Sequence, residues 1–173
     1  QLDFEIAPEV LQAIKDMAGR ISIISAERIR DEFSKMLMSE RPRVGISILV
    51  ETGLADIVLP EIPKLKLEID EHHHHKDVYE HSITVLEQAI ALEDRLGGPN
   101  LIIRLAALLH DIGKPKTRAL IAGGGVSFHH HEIVGARLVK SRLKSLRFDG
   151  QTIEQVETLV SLHLRFHGYG DGE

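Results

Sequence analysis

The sequence predicts an all-α protein, an N-terminal helical region packed on a helical bundle, and three observations carry that expectation. Apolar residues recur at helical spacing in most segments between breakers. The stretch Leu101-Ile-Ile-Arg-Leu-Ala-Ala-Leu-Leu109 is apolar on nearly every side except at Arg104, the signature of a helix buried all round at the centre of a helical domain. Only Lys64 to Ile69 alternates with period two, and it has no partner run elsewhere, so it reads as an extended linker.

The elements follow in order. Pro8 opens a helix at its first turn, Val10, Leu11, Ile14 and Met17 mark its apolar face, and Gly19 closes it. Ser25 caps a second helix with Ile29, Phe33 and Met36 or Leu37 inward and Glu27, Arg28, Arg30, Asp31 and Glu32 outward, which makes a helical hairpin. After Arg41-Pro42 a third helix runs through Val44, Ile48 and Leu49 to Gly53, then a short apolar segment, Leu54 to Leu59, meets the breaker Pro60-Glu-Ile-Pro63. His72 to His75 reads as a solvated loop. Asp77 with Glu80 has capping-box spacing and starts a helix whose stripe is His81, Val85, Ala89 and Leu92. Gly97-Gly-Pro-Asn100 turns the chain into the central helix. Gly113 is expected to supply a left-handed C-cap there, and Pro115 to forbid continuation. Lys116 to Ser127, with Gly123-Gly-Gly125, reads as a rim or lid beside that helix end; its glycines lack the following lysine and hydroxyl of a phosphate-binding loop. Ser127 is expected to cap a helix carrying His131, Gly135 and Leu138 on one face, with the glycine permitting close helix approach. Asp149 starts a last helix with the stripe Ile153, Val156, Val160, His163 and His167.

Composition bounds the chemistry. At 173 residues the chain suits one rigid unit of two subdomains. The net charge of −5 argues against a strongly basic nucleic-acid platform, although eleven histidines can soften it. There is no cysteine, so any metal must be held by His, Asp or Glu, and a reducing cytoplasm is the default compartment. No apolar run is long enough to span a bilayer, and no secretory signal pattern is visible. The start at Gln1 and the end at Glu173 read as those of a piece of something longer.

The histidines concentrate the chemistry. His110 and Asp111 fall at the end of the central helix, where unpaired carbonyls already make a carboxylate unfavourable and a bound cation would reverse the sign. Imidazole beside carboxylate suits a first-row divalent ion better than calcium. A plain capping role for His110, with Asp111 accepting from Lys114, is the competing reading. Yet His81, His131, and His163 with His167 project from the buried faces of three helices, and His110 from the end of the central one, and that many neutral core imidazoles would each need a hidden acceptor.

The order His81, His110-Asp111-Ile-Gly-Lys114, His131-Glu-Ile-Val-Gly135-Ala, His163 and His167 resembles the HD superfamily of metal-dependent phosphohydrolases, over Asp77 to His167. Ser25-Ala-Glu-Arg-Ile-Arg-Asp-Glu-Phe33, Leu49-Val-Glu-Thr-Gly-Leu54 and Leu59-Pro-Glu-Ile-Pro63 resemble the neck of bacterial CCA-adding tRNA nucleotidyltransferases and poly(A) polymerases. Asp77-Val-Tyr-Glu-His-Ser82 and Val126-Ser-Phe-His-His-His-Glu132 are similar to the versions with an HD domain behind the neck. The resemblance implies a helical neck, residues 1–69, packed on an HD-type helical bundle, residues 70–173, with the nucleotide-transferring head domain absent. It implies a divalent ion (nickel, manganese, magnesium, iron or zinc) on His81, His110 and Asp111, with His131, His163 and His167 as further ligands or phosphate contacts. The superfamily's usual late aspartate has only Asp171 as a candidate here.

Two functions follow from that resemblance. One is a metal-dependent phosphohydrolase acting on phosphomonoesters or 2′,3′-cyclic phosphodiesters at an RNA end, with Asp111 and Lys114 as catalytic candidates. The other is a non-catalytic, metal-stabilised module that positions tRNA. Lys114, Lys116, Arg118 and Arg137 are the candidate phosphate contacts, on a basic face that continues through Lys140, Arg142, Lys144 and Arg147 or is an ordinary solvated surface.

Overall fold

The computed structural model describes residues 5–66, 77–121 and 125–166. The described residues form helices, turns and one short hairpin. Helices α1 (Pro8–Met17), α2 (Ala26–Leu37), α3 (Pro42–Glu51) and α4 (Leu54–Val58) form the N-terminal region. Then come α5 (Val78–Ala91), the central α6 (Leu101–Leu109), a one-turn α7 (Lys114–Thr117), α8 (His131–Ser145) and α9 (Gly150–Leu162). The helix starts expected at Ser25, Asp77 and Asp149 are capped, and Asn100, read in the sequence only as part of a turn, caps α6 as well: each side chain accepts from a backbone amide of the first turn. Glu80 does not complete a capping box with Asp77; it pairs with Arg43 of α3 instead. No helix among the described residues is long and apolar enough to cross a membrane.

Several expectations are corrected by packing. Lys64 does not start an extended run: Pro63–Leu65 is a 3-10 turn whose Leu65 is fully buried, while residues 67–69 and His72 to His75 lie outside the described residues. Within Lys116 to Ser127, β1 (Ala119–Leu120) pairs antiparallel with β2 (Val126–Ser127), so Ser127 is a strand residue and not a cap. His130 stands at the N-cap of α8 instead, in the left-handed region at φ 63°. The face of α1 buries no residue completely, and Val10 and Met17 are exposed. In α3 the core residue is Ile46 and Val44 is exposed; in α5 the buried face is Val78, Tyr79, Ser82, Ile83 and Leu86, so Leu92 is exposed and His81 lies on the flank.

One core runs through both regions. Phe33, Leu37, Ile46, Val58 and Leu65 belong to the same buried cluster as Ile83, Leu105, Leu108, Val139, Val156 and Val160. Helix α6 is its axis, with α5 and α9 packed against it and α2 touching its flank. The polar exception in α6 is resolved inside the protein. Arg104, 3 % exposed, makes two 2.6 Å bonds to Glu93 and donates to the carbonyls of Leu37 and Ser39 at 2.7 and 2.8 Å. It thereby satisfies carbonyls at and beyond the end of α2 from within the bundle.

Glu93→Ala would leave the guanidinium buried and half satisfied, so unfolding stability in urea should fall by about 3–5 kcal/mol. The apolar double variant Glu93→Leu/Arg104→Met should recover a large part of that loss. A Glu93→Ala melt equal to wild type would show that the pair is not buried as described.

Candidate metal centre

Helix α6 ends at Leu109, and His110 to Gly113 form a turn that runs against the start of α8. Gly113 is needed there for a reason other than the left-handed cap expected of it. Its φ is −77°, in the ordinary helical region, but a Cβ on it would overlap the carbonyl of His131 and stand 2.7 Å from the amide nitrogen of Gly135. Gly135 matches it from the other side, with a Cβ position 3.4 Å from the Gly113 nitrogen and from Val160. The two glycines bring the His110-Asp111 turn against α8, as expected of Gly135. Pro115 does not terminate the helical path; it sits in the first turn of α7.

Three histidines are oriented by one device. The Nδ1 of His110 donates to the Ala107 carbonyl at 2.8 Å, that of His131 to Phe128 at 2.8 Å, and that of His163 to Val160 at 2.7 Å. A carbonyl can only accept, so each Nδ1 carries the hydrogen and each Nε2 is left as a lone pair. All three Nε2 atoms face Asp111, as does that of His81. On one side Oδ2 lies 3.2 Å from His110 and 3.7 Å from His81, which are 3.3 Å from each other. On the other Oδ1 lies 3.3 Å from His131 and 3.8 Å from His163, which are 3.2 Å apart.

The Nε2 lone pairs of His131 and His163, facing each other and the Asp111 carboxylate at such distances, repel unless a positive charge lies between them. Ligand atoms about 2.1 Å from a common ion stand about 3.0–3.4 Å apart at angles of 90–110°, close to the spacings seen here. The potential ligands form two groups sharing Asp111: His81, His110, Asp111, and Asp111, His131, His163. The alternative positive charge is a proton, and burial works against it. Burial is the main cause that holds the His163 imidazole below its ordinary value. Burial would likewise push the Asp111 carboxyl up, but positive charge at the cluster outweighs it and keeps the group far below the usual carboxylate range, whether that charge is carried by His110 and His131 protonated at Nε2 and by Lys114, or by an ion in the protons' place. The donor set therefore fits a divalent metal.

Lys114 bonds Asp111 Oδ2 at 2.8 Å, so the pairing considered as an alternative to metal binding coexists with the histidine cluster. Its ammonium also stands 5.7 Å from the centre of the Phe128 ring. Lys116, Arg118 and Arg137 are exposed and make no ion pair among the described residues, so the structure does not bring them into the cluster. Lys140 pairs with Glu157 and Arg142 with Glu61. His167 and Asp171 lie outside the described residues. The carbonyls of Ala107, Phe128 and Val160 were not foreseen, although a histidine placed just past a helix end, three residues after a carbonyl, is the signal for the first and third.

Residues 78–171 match the HD domain model. The chain belongs to the HD domain family. Residues 3–65 match a second model, the probable RNA and SrmB-binding site of polymerase A. Across both regions the chain is 36 % identical over 169 residues to an A-adding tRNA nucleotidyltransferase of Deinococcus radiodurans, covering 94 % of this chain and 38 % of that protein. It is 33 % identical over 171 residues to a multifunctional CCA protein of Neisseria meningitidis, covering 96 % and 39 %. A CC-adding tRNA nucleotidyltransferase of Thermus thermophilus is 34 % identical over 139 residues, covering 80 % and 31 %. This HD protein thus matches neck and HD regions of tRNA nucleotidyltransferases and spans less than half the length of these relatives.

Gly113→Ala should lower unfolding stability by about 1–3 kcal/mol, because backbone cannot move aside as a side-chain tip can. Gly150→Ala, whose Cβ would meet nothing within 4 Å, is the control and should be neutral or slightly stabilising. Equal losses in chemical denaturation would remove the close-approach argument.

His163 also sets a pH slope. Its folded pKa lies below the unfolded value of 6.5, so between the two the unfolded chain holds more protons. Stability is therefore full above about pH 6.5 and declines as the pH falls through that window. His163→Gln should flatten this part of the metal-free stability profile, as read by urea midpoints at successive pH values.

Proposed function

We propose that this chain is the neck and HD portion, residues 1–69 and 70–173, of a cytoplasmic tRNA nucleotidyltransferase that adds CCA, or part of it, to tRNA 3′ ends. Its HD unit is a divalent-metal-dependent phosphohydrolase for phosphomonoesters or 2′,3′-cyclic phosphodiesters at RNA ends. The observation that carries the reading is the buried Asp111 carboxylate faced by four imidazole Nε2 atoms, three of them locked through Nδ1. When bound there, a divalent ion polarises a phosphoryl oxygen and lets water act as nucleophile near neutral pH.

The chain's own residues have separable roles in this reading. His81, His110, His131, His163 and Asp111 hold the ion, which is nickel, manganese, magnesium, iron or zinc; His167 is a further ligand or phosphate contact. The carbonyls at Ala107, Phe128 and Val160 keep the histidine tautomers fixed so that ligand binding needs no ring rotation. Lys114 is the cation nearest the cluster and neutralises charge that develops on the phosphoryl oxygens. Lys116, Arg118 and Arg137, exposed and without ion partners among the described residues, are the proposed contacts to the RNA backbone.

The second reading, a metal-stabilised module that only positions tRNA, is favoured by the match of residues 3–65 to an RNA-binding region. Metal-dependent hydrolysis by the purified chain separates the two. Protein prepared without a nickel column should contain divalent metal, and a chelator should lower its melting temperature, because an ion that binds only the folded state stabilises it. Asp111→Asn should stay folded, carry no metal, hydrolyse no 2′,3′-cyclic nucleotide and melt alike with and without chelator. Wild type that carries no metal and ignores the chelator would defeat the metal site and the hydrolase together. Metal without hydrolysis would leave the positioning module.

A further inference from the structure

The two sides of Asp111 are not equivalent. Around Oδ1 the side chains of His131 and His163 are 10 % and 14 % exposed, and no cation among the described residues contacts that oxygen. Around Oδ2 the His81 side chain is 40 % exposed, and the ammonium of Lys114 already donates to the oxygen at 2.8 Å. Lys114 follows Asp111 by three residues and opens α7, which places its side chain beside the carboxylate. A divalent ion entering between His81 and His110 would need the same Oδ2 lone pairs and would have to displace the positive charge already bonded there. An ion entering between His131 and His163 meets neither obstacle.

We infer that Lys114 is a built-in counter-cation of the Oδ2 side, so that the cluster loads in order: one ion tightly between His131, His163 and Oδ1, and a second weakly between His81, His110 and Oδ2. The second ion enters only as the ammonium leaves Oδ2. The inference rests on reading the cluster as a metal centre, and it adds the order, the inequality and the residue that imposes them. The Phe128 ring, 5.7 Å from the ammonium, gives the displaced lysine a place to go, since the face of an aromatic ring attracts a cation. In this arrangement Lys114 is a positioning residue for the metals: the ammonium occupies the Oδ2 lone pairs that the second ion needs, while the first ion keeps its ligand oxygen and meets the same charge only at longer range.

The test is Mn²⁺ titration of the chelator-stripped full chain by calorimetry, with electron paramagnetic resonance to detect a spin-coupled Mn²⁺ pair. Wild type should bind one equivalent tightly and a second much more weakly. Lys114→Met, which keeps the stem and removes the charge, should tighten the second equivalent by at least about tenfold and the first by a clearly smaller factor. The coupled signal should then appear at a correspondingly lower Mn²⁺ concentration. Lys114→Arg, which restores the charge, should return the weak second equivalent; should Lys114→Met fold poorly, Lys114→Gln serves the same comparison. His163→Ala should abolish the tight equivalent, and His81→Ala only the weak one. Equal second affinities in wild type and both neutral variants would overturn the inference while leaving the metal centre in place. So would a Lys114 effect confined to the first equivalent. Absence of any Mn²⁺ binding in every variant would overturn the metal centre itself, and the inference with it.

Discussion

A buried carboxylate has to be compensated, and most of the bundle is arranged around that requirement at Asp111. Its side chain is 2 % exposed, and placing an ionised carboxylate there without partners would be strongly destabilising. The partners come from α5, from the end of α6, from α7, from the start of α8 and from the end of α9. The four helices that carry the histidines are packed on the common core, so the geometry of the cluster is a by-product of where Leu105, Leu108, Val139 and Val160 sit. A centre built this way is organised before any ligand arrives, which is the condition for a metal or a phosphoryl group to be bound without reorganisation.

Much of this was legible in the sequence, and the unread part has identifiable physics. The apolar run of α6 and the helix starts at Ser25, Asp77 and Asp149 follow from local rules, because capping and amphipathic period depend on near neighbours in the chain. Gly113 was assigned the right importance for the wrong cause. A glycine required by an approaching backbone and one required by positive φ look alike in one sequence, and only the position of His131 distinguishes them. The α5 stripe was displaced: His81 served as its guide, yet as a residue on the rim of a cluster it sits at the margin of the core face rather than on it. The partner of Arg104 lies eleven residues earlier, across a turn, where helical spacing gives no guidance.

The N-terminal region and the bundle are joined by more than apolar contact. Arg30 donates to the Arg147 carbonyl, Arg43 spans Glu80 and Glu87 on α5, and Arg142 on α8 forks onto Glu61. Two of these pairs are partly exposed and contribute modestly one by one, but together with the buried Arg104 they fix the rotation of the region about the core. Glu80 adjoins His81, so the α3 contact and the open side of the metal cluster share one turn of α5.

The shared core also bears on what counts as a module. Two sequence families meet between residues 65 and 78, a natural place to imagine a recombination junction. Yet Phe33, Ile46, Leu59 and Ile62 close over Leu108 on the far side of that junction. Units of inheritance and units of folding therefore differ in this chain: grafting the HD region onto an unrelated neighbour would expose an oily flank of α6 and leave the Arg104 guanidinium without the carbonyls of Leu37 and Ser39. The junction is open to evolution only if whatever replaces the neck brings a matching surface with it.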